Sequence, residues 1–278
     1  MNLPTAVLFG VVEGLTEFLP VSSTGHLTIL ERLLGYQLDA ADVTAFTAII
    51  QTGAVLATLI YLRDEFRRIM FAIIRGLFRP GWRADPDWRF GWAVVLGSVP
   101  IGIVGLLFQD QVETTLRSLW FVGAALIVWS APMLYADRTA TQKLGESDIT
   151  WRDTLVIGLA QCLALVPGVS RSGATMTAGL LRGFDRVAVT RLSFMLSVPA
   201  LTAAGVLQAY TAADDISTGV GWPATIVATV VSFVVAYFSV AWLLRFVARH
   251  TFVLFIAYRV ALGALLLALL ASGAVSAT

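Results

Sequence analysis

The sequence predicts an all-α integral membrane protein, with six transmembrane helices plus two re-entrant helical hairpins in an inverted-topology repeat. Three observations carry this prediction. The 278-residue chain is 58% hydrophobic and 13% charged, whereas a soluble domain is about 45–50% apolar and about 25% charged. Six regions run for about 20 residues with at most one charge, enough to cross a hydrocarbon core about 30 Å thick. Two further apolar segments are interrupted near their middles by Pro, Gly, Ser and charged residues.

The six predicted spans are 43–62, 90–109, 118–136, 192–213, 222–244 and 252–271, the last carrying Arg259. That cation either snorkels to an interface, joins a functional site, or marks a span that begins later. The interrupted segments, 3–34 and 154–182, read as re-entrant hairpins because a broken helix at membrane depth is tolerated only against protein or water. The first residues lack a basic region and a small-residue cleavage site, so no removable signal peptide is expected. The whole chain, 1–278, reads as a single membrane domain.

Orientation follows from arginine. Segment 63–89 holds Arg63, Arg67, Arg68, Arg75, Arg79, Arg83 and Arg89, which the positive-inside rule places in the cytoplasm. Segments 137–153 and 182–191, with Arg245 and Arg249, then fall on the same side. Segments 110–117, with Asp110 and Glu113, and 214–221, with Asp214 and Asp215, fall outside with both termini. Hairpin 3–34 enters from the outer face and hairpin 154–182 from the cytoplasmic one.

Such an inversion predicts an internal repeat, and a shift of 148 positions reveals one. It aligns Gly10 with Gly158, Leu15 with Leu163, Val21 with Val169, Ser22 with Ser170 and Gly25 with Gly173. These are five identities in the sixteen positions 10–25, where composition alone gives about one or two. Glu13 meets Gln161, and Phe46 meets Phe194. The repeats are expected over approximately 3–110 and 151–260.

A net charge of +1 is too balanced for a nucleic-acid binder. The lone Cys162 forms no intrachain disulfide and no multi-cysteine metal site, and reads as a small buried hydrophobe.

The first hairpin reads EGLTEFLPVSSTGH over 13–26. Glu13 and Glu17 lie one helical turn apart on one face. Two carboxylates in apolar surroundings repel and are both penalised by desolvation, so they need a cation, strong donors or a shared proton. Mg²⁺ or Ca²⁺, which take oxygen ligands and share phosphate oxygens with substrates, suits them better than zinc. After Pro20, residues Ser22, Ser23, Thr24 and Gly25 open the next helix, whose free N–H groups and dipole suit a phosphate or, more plainly, an N-cap. His26 is one of only two histidines.

The second hairpin reads PGVSRSGAT over 167–175, with Ser170, Arg171, Ser172, Gly173 and Thr175 again opening a helix after a breaker. At membrane depth Arg171 needs an anion, either a phosphate gripped by its guanidinium fork or Glu13 or Glu17. The repeat superimposes Arg171 on Ser23, so the two tips are expected to meet.

These two motifs resemble those of the undecaprenyl pyrophosphate phosphatase family, the bacitracin-resistance proteins, and the similarity covers nearly the whole chain. The resemblance implies an enzyme of the bacterial plasma membrane that hydrolyses undecaprenyl diphosphate to the monophosphate, recycling the lipid carrier for peptidoglycan and other envelope polymers. The family pattern carries over at Glu13, Glu17, Ser23 and His26, and at Ser170, Arg171, Ser172 and Thr175.

The expected chemistry is metal-assisted phosphoryl transfer, with Glu13 and Glu17 holding the cation, Arg171 and hairpin-tip N–H groups neutralising charge, and Ser22, Thr24, Ser170, Ser172, Gly173 and Thr175 binding substrate. Either Ser23 is the nucleophile with His26 as base, or His26 activates water while Ser23 binds phosphate. A two-histidine phosphatase mechanism is not expected, because the next histidine after Arg171 is His250. The rival class is a polyprenyl-phosphate transporter built on the same inverted-repeat site. The expected partners are the polyprenyl diphosphate and membrane lipids, with the site facing outward and the oligomeric state open between monomer and homodimer.

Overall fold

The computed structural model describes residues 1–108, 111 and 115–277; Asp110 and Glu113, expected in an outer loop, lie outside them. The described residues form α-helices and short 3₁₀ turns with no named strand, only an isolated bridge between Leu144 and Phe184. The helices in chain order are α1 (Leu3–Thr16), α2 (Ser23–Leu33), α3 (Ala41–Tyr61), α4 (Arg63–Phe78), α5 (Pro86–Leu107) and α6 (Leu119–Thr139). They continue with α7 (Trp151–Gln161), α8 (Arg171–Leu181), α9 (Arg186–Thr211), α10 (Ala213–Thr218), α11 (Trp222–Val247) and α12 (Val253–Ala271).

Six of these, α3, α5, α6, α9, α11 and α12, are long and apolar enough to cross a membrane. Each overlaps one predicted span. Their outward faces carry residues such as Leu106, Val128, Val206, Phe238 and Leu265, more than half exposed. In water such surface would be an aggregation site, whereas lipid solvates it.

The two interrupted segments fold as helix, break, helix. Segment 3–34 becomes α1 and α2; segment 154–182 becomes α7, a 3₁₀ turn at Cys162–Leu165, and α8. Segment 63–89 is mostly helical, because Met70, Phe71, Ile74 and Leu77 recur at helical spacing beside the arginines and make α4 amphipathic.

Small residues let these helices close on one another, as membrane interfaces require in the absence of a hydrophobic drive between helices. The spacing Gly10-x-x-x-Gly14 on α1 meets α11, where a methyl at either position would sit 2.5 Å from the Ala228 carbonyl oxygen or 2.7 Å from that of Ser232. The contact of α7 with α5 is tighter, and a Cβ on Gly158 would come within 1.9 Å of the Gly97 carbonyl oxygen. Packing at one end is reinforced by ion pairs, Arg186 to Asp137 at 2.7 Å, Arg182 to Asp153 at 2.6 Å and Arg191 to Glu65 at 2.5 Å. The edge-to-face rings of Phe18 and Phe194, 4.9 Å apart, close the core behind the hairpin breaks.

Candidate active site

Each break ends in a serine of unusual backbone. Ser22 and Ser170 have φ of 76° and 77°, the left-handed region that a side chain rarely enters. Each is the N-cap of the helix that follows, its Oγ accepting from Gly25 N at 3.2 Å or from Gly173 N at 3.1 Å. Strain of about 1–3 kcal/mol per residue is held at the same point of both hairpins.

The tips are sewn together. Ser22 Oγ also accepts from Gly168 N across the seam at 3.0 Å, and Ser172 Oγ donates to the Leu19 carbonyl at 2.9 Å. Ser170 Oγ lies 3.0 Å from Ser172 Oγ. Behind them Arg259, wholly buried, donates to the carbonyls of Gly168 at 2.8 Å and Pro20 at 3.4 Å, and to Ser130 Oγ at 3.3 Å. The structure therefore answers the question that Arg259 posed. It joins the site as a clamp on the two breaks, and α12 does begin at Val253 as a span.

In front of the seam, Glu17 lies between the hairpins. Its Oε1 accepts from Arg171 Nη2 at 2.8 Å, and its Oε2 accepts a short hydrogen bond from Ser23 Oγ. The Arg171 side chain is 9% exposed and that of Glu17 4%. Arg171 Nη1 has only a long contact to the Ser193 carbonyl at 3.4 Å, and its Nε has no partner. Thr175 Oγ1 donates to Ser193 Oγ at 2.7 Å, holding the first turn of α8 to α9. One turn before Glu17, Glu13 is fully buried, and among the described residues no N–H or hydroxyl donor reaches either of its carboxylate oxygens.

The expected Ser23 to His26 hydrogen bond is not formed. Ser23 Oγ points to Glu17, while His26 Nδ1–H donates to the Ser22 carbonyl at 2.7 Å. That bond leaves Nε2 of a neutral ring as the acceptor, and the Tyr258 hydroxyl donates to it at 2.7 Å with the rings stacked. Thr24 lines a cavity of about 590 Å³ that also reaches Arg171 and Pro167. Ser22, Ser170, Ser172 and Gly173 make hydrogen bonds within and between the two tips.

Sequence reasoning missed Tyr258. No periodicity marks it, and its one signal is adjacency to the single charge of the last span. It missed Arg117 too, which lines the same cavity and reaches Glu31 at 2.6 Å.

A family profile described as Bacitracin resistance protein BacA matches residues 6–265. The chain belongs to the BacA family. Curated BacA relatives align over full length. The chain is 68% identical over 278 residues to "Undecaprenyl-diphosphatase 3" of Frankia casuarinae, covering 100% of both chains. It is 51% identical over 284 residues to "Undecaprenyl-diphosphatase" of Cutibacterium acnes, again covering 100% of both. The corresponding protein of Acidothermus cellulolyticus is 50% identical over 277 residues, with 100% of both chains covered. The matched span contains both hairpin tips, Tyr258 and Arg259.

Proposed function

We propose that this protein hydrolyses undecaprenyl diphosphate to undecaprenyl monophosphate and inorganic phosphate at the seam of the two hairpin tips, in the bacterial plasma membrane. The observation that carries the reading is Glu17, a buried carboxylate joined at once to a hydroxyl of one hairpin and a guanidinium of the other. Full-length similarity to undecaprenyl-diphosphatases supports the substrate. The apolar wall of the cavity, with Val95, Val99, Leu106 and Leu207, suits a prenyl chain beside Arg171.

The carboxylates suit a divalent cation. Glu13 has two buried oxygens without a donor, one helical turn from Glu17, and hard cations prefer oxygen ligands. Among the described residues no group of three or more His, Cys, Asp and Glu could close a metal shell, which leaves positions for substrate oxygens. Glu13 and Glu17 would hold Mg²⁺ or Ca²⁺, and the ion would supply charge neutralisation on the diphosphate.

The chain's own residues do the rest. Arg171, with Nε free and Nη1 loosely held, turns its fork to the terminal phosphoryl oxygens, and the first-turn N–H groups of α2 and α8 add their dipoles. Ser23 Oγ attacks the terminal phosphorus, its proton passing to Glu17; the Ser23–phosphate bond forms as the bond to the lipid monophosphate oxygen breaks. Water then attacks the phosphoserine, its proton passing to His26 Nε2, and phosphate leaves as the seryl oxygen regains a proton.

The two tips are best read as re-entrant hairpins of an inverted repeat over approximately 3–110 and 151–260. In support, α2 and α8 are both 11 residues long, lie 148 positions apart and carry matched serine caps. An outward-facing site fits the clustering of the ion-paired arginines at one end, where the positive-inside rule applies. The test is phosphate release from a prenyl diphosphate by detergent-purified protein, with Ser23→Ala and with EDTA. Trapped phosphoserine and loss in Ser23→Ala support the scheme. Activity surviving in Ser23→Ala overturns the seryl step, and a folded protein that binds the lipid but releases no phosphate is a transporter.

A further inference from the structure

The cavity beside the active site contains a second cation that the phosphoryl chemistry does not use. Arg117, its side chain 7% exposed, donates from Nη2 to Glu31 Oε2 at 2.6 Å and from Nη1 to Thr44 Oγ1 at 2.6 Å. The pairing is incomplete. Arg117 Nε and Glu31 Oε1 are both buried with no hydrogen-bond partner among the described residues. A pair serving stability alone would be expected to satisfy its remaining donor and acceptor, since an unpartnered buried polar atom costs about 1–3 kcal/mol.

Both residues line the cavity that reaches Arg171. Its wall along α2 is formed by Thr24, Leu27, Thr28 and Glu31, which is one face of the helix over two turns. At 1.5 Å rise per residue the step from Thr24 at the hairpin tip to Glu31 is about 10 Å. Arg117 therefore stands two turns from the seam on a shared, otherwise largely apolar passage, too far to hold the phosphoryl group being transferred.

We infer that Arg117 is a second binding subsite for a phosphate-class oxyanion, with Thr44 beside it as a hydroxyl donor and Glu31 as a built-in competitor. The inference rests on the phosphatase reading, which makes an anion pass through this cavity in every turnover. With no anion present, Glu31 neutralises the guanidinium. An arriving phosphate takes the place of Glu31 at the fork, exchanging one charge-assisted pair for another. Competition of this kind keeps the subsite weak, so that the anion visits and leaves.

The two residues must then move phosphate affinity in opposite directions. The experiment measures saturable binding of inorganic phosphate, and its inhibition of prenyl diphosphate hydrolysis, on the full-length protein in detergent. Variants are Arg117→Gln, Glu31→Gln, Arg171→Ala and the Arg117→Gln/Arg171→Ala double. Glu31→Gln is expected to tighten phosphate about tenfold and Arg117→Gln to weaken it about tenfold, the size of one charge-assisted hydrogen bond. Arg171→Ala retains a phosphate-binding step that the double variant loses. A matched shift in KM for a prenyl diphosphate assigns the subsite to the lipid headgroup, and a shift in phosphate inhibition alone assigns it to the free product. The inference is overturned if Arg171→Ala abolishes phosphate binding, or if folded Arg117→Gln and Glu31→Gln both stay within twofold of wild type. Should Arg117→Gln fail to fold, Glu31→Gln decides, because a purely structural pair predicts no tightening. Failure of the phosphatase reading shows separately, as a wild-type protein that releases no phosphate.

Discussion

Replacing Arg259 by methionine tests whether the two hairpin tips must be held together from behind. The substitution keeps an unbranched side chain of similar length but removes the donors to the Gly168 carbonyl at 2.8 Å, the Pro20 carbonyl at 3.4 Å and Ser130 Oγ at 3.3 Å. One of these is a full charge-assisted bond, about 1.5–3 kcal/mol, and the other two are long and weaker. Against that loss stands relief from burying a cation with no carboxylate partner, which is of the same order. The two terms nearly cancel in stability, so Tm in detergent is expected to move by only about 2–4 °C. They do not cancel in the active site. Pro20 and Gly168 flank the serine caps, and a misplacement of about 1 Å between reacting groups costs about 100-fold in rate, close to 2.7 kcal/mol. The assay is phosphate release at saturating prenyl diphosphate alongside a thermal melt. Arg259→Lys, able to reach one carbonyl but not two, should fall between wild type and Arg259→Met. Arg259→Met with wild-type kcat and an unchanged melt would refute the clamp.

Ser22 at φ 76° predicts an inverted substitution order. Ser22→Gly and Ser22→Ala both lose the cap and the seam bond to Gly168 N, about 1–3 kcal/mol, but Ser22→Ala should cost about 1 kcal/mol more in chemical melts, because glycine accepts the positive φ without strain. Burial and the neighbouring Glu65 carboxylate push the Glu146 carboxyl up to about 7, with Arg191 and Arg68 pulling the other way. A carboxyl raised in the folded state contributes no penalty below its ordinary value near 4.5 and destabilises progressively as pH rises through about 7. Glu146→Gln should therefore raise Tm at pH 8 and leave it unchanged at pH 4, which paired melts check. Tyr258→Phe removes the hydroxyl from His26 Nε2 and should displace the pH dependence of kcat while phosphate-free folding is kept; an unmoved profile would exclude Tyr258 from orienting that imidazole. Breaking the Glu17 to Arg171 pair on one side leaves a buried charge and should cost about 3–5 kcal/mol, so Glu17→Gln with Arg171→Met should recover Tm without recovering activity.

Spans were legible because a charge-free run of the right length has one physical meaning, and 222–244 or 118–136 needed no tertiary information. Segment 63–89 shows the limit. Its arginines dominated the orientation argument, while the apolar stripe of α4 is ambiguous until a neighbour, here α5, takes one side. The hairpin tips were legible as breaker followed by hydroxyls, and Glu17 with Arg171 as groups that cannot stand alone in lipid. What could not be read was pairing. Ser23 was matched to His26 by chemical habit, but the turn at Ser22 directs the Ser23 hydroxyl to Glu17 and ties the imidazole to the Ser22 carbonyl. Tyr258, Arg259 and Arg117 come from 86 to 239 positions away along the chain in their contacts with the first hairpin, beyond the reach of any local pattern.

The two helix–break–helix segments share one backbone geometry at their serine caps and carry different chemistry. Ser22 and Ser170 give the two breaks one geometry, and each lends the other a bond across the seam, Gly168 N to Ser22 Oγ in one direction and Ser172 Oγ to the Leu19 carbonyl in the other. Two identical tips would place like groups face to face. Three of the positions at which the motifs diverge differ in charge: the repeat aligns Glu13 with Gln161, Glu17 with Leu165 and Ser23 with Arg171. One hairpin thus supplies anions and a hydroxyl, the other a cation, and the seam brings them within hydrogen-bond distance of Glu17. Attraction between opposite charges then reinforces the same contact that the backbone bonds make. A phosphate arriving there finds Arg171 already positioned, and needs only to compete with one carboxylate for it.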